Sequence, residues 1–168
     1  GAHAAATAMT EEYFRYPRTP HLLWLGEDAP RDDKVLTRAE AEELLRGAVV
    51  IEEKLDGANL GVSLDDELTL RAQNRGRYLP KPYGGQFARL AGWLAMHEER
   101  LPVVLGRELI AFGEWCAARH SLSYERLPDW WLAFDVYDRS SKSFLSTARR
   151  DSWVSAAGVI GVAQLYRG

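Results

Sequence analysis

Val49-Val50-Ile51-Glu52-Glu53-Lys54-Leu55-Asp56-Gly57-Ala58-Asn59-Leu60-Gly61-Val62-Ser63-Leu64 contains two strand-forming runs on either side of an Asp-Gly pair. The β-branched residues come first, Asp56-Gly57 is a turn signal, and apolar alternation resumes at Leu60, Val62 and Leu64, which together predict a hairpin. Lys54 then stands where the first strand ends, a position from which its side chain can point into a cleft. A lysine amine acts as a nucleophile only when neutral, and an ordinary pKa near ~10.4 leaves fewer than about one amine in a thousand neutral at pH 7. Burial or neighbouring cations would have to favour the neutral form.

The rest of the chain bounds what such a lysine could serve. The sequence has 168 residues, 46% hydrophobic and 27% charged, which suits one soluble domain with a real core. A net charge of −3 excludes a global basic footprint for nucleic acid, so any such contact must be local. The single cysteine, Cys116, excludes an internal disulfide and fits a reducing, cytoplasmic compartment. No apolar run reaches the roughly 18 residues of a membrane-spanning helix. Residues 1–8 precede Met9 and read as an expression remnant or disordered leader without a secretory core, which leaves 9–168 as the domain.

Taken in order, Tyr13 to Pro30 is rich in proline and aromatics and predicts an extended segment packed on the domain. Arg31-Asp32-Asp33-Lys34 reads as a solvated turn. Thr37-Arg38-Ala39-Glu40 is a capping box, and Ala41, Leu44 and Leu45 give the helix that follows an apolar face as far as Gly47. Asp65-Asp66-Glu67 predicts a hairpin turn and Leu68 to Asn74 a returning strand, which carries Arg75 back toward Lys54. Gln86 to Leu101 predicts a helix with Phe87, Leu90, Trp93 and Leu94 on its apolar face.

Leu109 to Cys116 is an apolar strand interrupted by Glu114, a carboxylate that is costly there unless partnered. His120 falls in a loop with no metal-ligand spacing around it, so a zinc site is not expected there. Strict alternation over Trp130 to Asp138 puts Trp130, Leu132, Phe134 and Val136 on one face and Ala133, Asp135 and Tyr137 on the other. Thr147 to Ala157 predicts a helix, and Val159 to Tyr166 a final strand.

Four of these elements resemble, in order and close to the expected separations, the motifs of the ATP-dependent RNA ligase family within the covalent nucleotidyltransferase superfamily. Lys54, Asp56, Gly57 and Asn59 match Lys-x-Asp-Gly-x-Asn. Arg75 matches a phosphate-binding arginine, Phe112-Gly113-Glu114-Trp115 a motif whose glutamate contacts the ribose, and Phe134 an aromatic that stacks on the purine. The resemblance runs from about Tyr13 to the C-terminus. It implies an α+β domain of the DNA and RNA ligase adenylation type, unrelated to ATP-grasp, with antiparallel sheets flanking an ATP cleft. Lys54 would take AMP from ATP with magnesium assisting, then pass it to an RNA 5′-phosphate for joining to a 3′-hydroxyl, as in RNA repair. Nucleotide-binding residues would be Glu53, Lys54, Asn59, Arg75, Glu114 and Phe134, with Asp56 and Gly57 supporting the motif and no metal ligand assigned.

The resemblance stops short of the family's Glu-Gly-x-Val and Lys-x-Lys motifs. After Asp138 the sole lysine is Lys142 and the sole side-chain carboxylate Asp151, so the chain reads as the first two thirds of an adenylyltransferase domain, weak or inactive by itself. A DNA ligase, a capping nucleotidyltransferase and a non-catalytic nucleotide or RNA-binding module are the alternative readings.

Overall fold

The computed structural model describes residues 13–28, 34–117 and 129–168. The leader, residues 31–33 of the charge cluster and His120 lie outside them.

The site is carried by a sheet in the order β3-β2-β4-β5-β6, formed by Ala58–Leu64 (β2), Leu70–Gln73 (β3), Leu109–Trp115 (β4), Trp131–Asp138 (β5) and Ser143–Phe144 (β6). All of these neighbours pair antiparallel. Ile160–Gly161 (β7) adds to β5 in parallel. A second, two-stranded sheet pairs Val50–Glu52 (β1) with Gln164–Arg167 (β8).

Period-two alternation divides the large sheet into two faces. Leu60, Val62, Leu64, Leu70, Ala72, Ala111, Trp115, Trp131, Ala133 and Val136 point to the main core. That core is closed by Leu90–His97 (α2), Leu101–Leu105 (α3) and Thr147–Ala157 (α4) through Leu90, Trp93, Leu94, Leu101, Leu105 and Trp153. Buried indoles need partners for their N–H groups. Trp115 donates to the Gln86 carbonyl at 2.9 Å, Trp131 to that of Leu60 at 3.1 Å and Trp153 to that of Val104 at 2.9 Å.

The opposite face carries Ile110, Phe112 and Tyr137, and the start of the extended segment packs on it through Phe14 and Tyr16 as its composition predicts, whereas Leu22, Leu23, Trp24 and Leu25 further along are exposed. Phe14 stacks on Tyr137 with ring centroids 3.6 Å apart, and Tyr16 packs on Phe112, Phe134 and Phe144. Backbone carbonyls of this segment and of the turn after β3 are tied by Gln73 Nε2 to Phe14 O (2.7 Å), Tyr13 Oη to Asn74 O and Arg15 Nε to Arg75 O (both 2.5 Å).

Several expectations are corrected. Asp56-Gly57 does not close a hairpin, because β1 pairs with β8 and β2 with β3 and β4, so residues 53–57 pass from one sheet to the other. Strict alternation fails in β5. Phe112 faces Asp135 while Gly113 faces Ala133, so Phe134 is the extra residue of a bulge, and Val136 turns to the core face of Trp131 and Ala133. The helix from Gln86 is divided into a 3-10 turn at Gly85–Phe87, α2 and α3, since Pro102 near the start of α3 disfavours a continuous helix through the residues before it. The final strand is split between the sheets as β7 and β8.

The helix Arg38–Leu44 (α1) has its capping box, with Glu40 N to Thr37 Oγ1 at 3.2 Å and Thr37 N to Glu40 Oε2 at 2.9 Å, yet it buries no residue and Leu44 and Leu45 are exposed. By contrast α4 spans its expected residues, capped by Ser146 accepting from Arg149 N and ended by Gly158 at φ 68°.

Candidate functional site

Pairing of β2 with β4 sets Asn59 opposite Glu114, and both face away from the main core. The hydrogen-bonding capacity of the Gly57 N–H, not used in a hairpin, is directed to Glu114 Oε1 at 2.8 Å. The partner that an interior carboxylate requires is thus the backbone just beyond Lys54. Burial pushes the Glu114 carboxyl above its ordinary range, while the Gly57 N–H, Lys54 and Arg75 oppose that rise and Asp56 adds to it. Lys54 and Arg75 therefore both act electrostatically on one carboxylate. Lys54 itself is exposed, as is Glu53, whose backbone N–H donates to the Ala163 carbonyl at 2.8 Å.

Arg75 is held at the end of β3 by a turn in which Asn74 Oδ1 accepts from Gly76 N at 2.8 Å and Arg77 N at 2.9 Å. With Asn59, Arg77, Gln86 and Phe87 it lines an open cavity of about 470 Å³. Asn59 Nδ2 is buried and has no hydrogen-bond partner among the described residues.

Phe134 is half-buried at the β5 bulge, its ring edge-on to Tyr16 at 5.3 Å. The Arg75 guanidinium lies 5.7 Å from the same Tyr16 ring. A cation, a carboxylate and an aromatic ring are in this way brought together on one face of the sheet, with Lys54 acting on the same carboxylate.

Four residues here escape the sequence reading. Tyr16 donates to Asp135 Oδ2 at 2.5 Å, and burial raises both groups' pKa values. Asp135 could have been singled out by the argument applied to Glu114, a carboxylate inside an apolar strand. Arg150, on α4 and almost fully buried, donates from Nη1 to Glu52 Oε1 and to the Phe134 carbonyl, both at 2.8 Å. Glu52 Oε2 lies 2.6 Å from Nη2 as an ion pair outside hydrogen-bond geometry. Burial works against the Arg150 charge, yet Glu52 and Asp151 hold its pKa above the ordinary value. No local signal marks Arg150 as a link between the sheets, since apart from the adjacent Asp151 its partners, Glu52 and the Phe134 carbonyl, lie 98 and 16 residues away.

The family model described as RNA ligase matches residues 47–168, and the chain belongs to that family. Among solved structures it is similar to an RNA ligase of Naegleria gruberi. A variant of that ligase with ATP and Mn matches at TM-score 0.60 and 24% identity, covering 76% of this chain and 39% of that one. A variant with AMP and Mn gives 0.60 and 22% over the same shares, and the ligase with PPi gives 0.56 and 23% over 72% and 37%. At these identities the likeness shows the shared fold, and this chain spans less than two fifths of the length of each. No curated protein matches the chain. No helix among the described residues is long and apolar enough to cross a membrane.

Proposed function

We propose that this chain is the nucleophile-bearing part of an ATP-dependent RNA ligase that forms lysyl-AMP on Lys54. The observation that carries the reading is the Gly57 to Glu114 hydrogen bond, which fixes the segment after Lys54 beside a carboxylate on which Lys54 and Arg75 both act. The Lys54 Nζ lone pair would attack the α-phosphorus of ATP. A nitrogen–phosphorus bond forms, the bond to the bridging oxygen breaks, pyrophosphate leaves with that electron pair, and the surplus proton on Nζ is lost to solvent. Arg75 neutralises phosphate charge, which matters because phosphoryl transfer is governed by positioning and electrostatics. Glu114 binds the ribose, Asn59 offers phosphate its buried amide, which has no partner among the described residues, Phe134 stacks on adenine, and Glu53 contributes to nucleotide binding.

AMP then passes to an RNA 5′-phosphate, and a 3′-hydroxyl displaces it to give a phosphodiester. Among the described residues no three His, Cys, Asp or Glu side chains cluster as metal ligands. Magnesium would instead arrive on the triphosphate oxygens, as is usual for that ion, and none of the roles above is assigned to it. A soluble cytoplasmic setting completes the reading. The full-length protein should seal a nicked RNA duplex in an ATP-dependent way, and more slowly a matched DNA nick. Preference for the DNA nick would favour a DNA ligase, and nucleotide binding without sealing would favour a binding module.

A further inference from the structure

A buried side chain, Arg150, spans the two sheets that border the site. β1 runs directly into Lys54 and belongs to the small sheet, whereas Phe134 belongs to the large one. Arg150 reaches both, gripping the Glu52 carboxylate at the end of β1 and the Phe134 carbonyl at the β5 bulge with the same Nη1 atom, 2.8 Å from each. The bulge matters here, because it withdraws Phe134 from the β4 pairing register and leaves its carbonyl to a side-chain donor. Asp151 anchors the other edge of the guanidinium at 2.9 Å and 3.1 Å. A planar fork with several donors in fixed geometry can make all of these contacts at once, and an ammonium cannot.

We propose that Arg150 is a positioning residue for adenylylation, setting the reach of Lys54 relative to the base platform at Phe134. The inference rests on the lysyl-AMP reading above. A nucleophile held two residues beyond the clamped Glu52 is sensitive to small displacements, and about 1 Å of misplacement can cost on the order of 10²-fold in rate. Affinity for nucleotide should depend far less on the clamp, since the proposed base, ribose and phosphate contacts come from other side chains.

Removing Arg150 alone would strand the half-buried Glu52 carboxylate without its partner, so the test uses Arg150→Lys and the double variant Arg150→Met with Glu52→Leu, which removes both charges. In the full-length protein, single-turnover formation of the AMP adduct at saturating ATP should fall by roughly 10- to 100-fold in both variants, with the nucleotide dissociation constant within about threefold of wild type. Adduct formation at the wild-type rate in the double variant, or rate and affinity declining together in step with thermal stability, would overturn the inference. Failure of the wild type to form any adduct on Lys54 would instead remove the reading on which it rests.

Discussion

Glu114 on β4 and Gly57, far from it in sequence, are joined by a hydrogen bond of 2.8 Å from the Gly57 N–H to Oε1, which fastens the segment after Lys54 to the wall of the site. The fit around that bond is tight. A Cβ on Gly57 would collide with the Trp115 carbonyl oxygen and press on Cys116 Sγ. Because the opposing atom is backbone, the segment has to move. Gly57→Ala should destabilise the protein by ~1–3 kcal/mol, the usual range for overpacking, and should slow adduct formation beyond what the stability loss accounts for. Urea unfolding together with single-turnover labelling measures both effects.

Glu114 gives a pH dependence with a definite sign. Its folded pKa is raised from about 4.5, so between that value and the raised one the folded state binds more protons than the unfolded state. Stability contributed by this group therefore falls as pH rises through that window and stays low above it. Glu114→Gln keeps an oxygen for the Gly57 N–H and removes the charge. The variant should melt at or above the wild-type temperature near neutral pH, lose this part of the slope on the acid side, and lose affinity for ATP through the ribose. Melting curves from about pH 4 to 8 check the first two, and a steeper slope in the variant would contradict them.

Phe134→Leu separates a base platform from plain core. Loss of an aromatic stack costs roughly 0.5–1.5 kcal/mol, or about 2- to 12-fold in nucleotide affinity. Because the side chain is half-buried and a leucine refills part of its space, the fold should persist. Unchanged ATP affinity would assign Phe134 to packing against Tyr16 alone.

The legible parts of the molecule were those specified locally. The apolar run at 109–115, the aromatic run at 131–138 and the Ser146-to-Gly158 helix have signals within a few residues, and each forms close to its expected bounds. The gathering of Lys54, Arg75 and Glu114 followed from antiparallel return of β3 and from motif order. What the sequence concealed is non-local. Nothing near Asp56-Gly57 indicates that β1 prefers β8 to β2, because strand pairing depends on partners at the other end of the chain. The bulge at Phe134 depends on register with β4, which alternation along β5 alone does not encode. Arg150 looks like any helix-surface arginine until α4 is packed against Glu52 and Phe134.

The most direct measurement is intact-mass analysis of the full-length protein after incubation with ATP and magnesium, followed by peptide mapping. The account predicts a mass gain of one AMP, labile in acid, on Lys54, and no gain in Lys54→Ala. An adduct that persists in Lys54→Ala, or that maps to another residue, would contradict it.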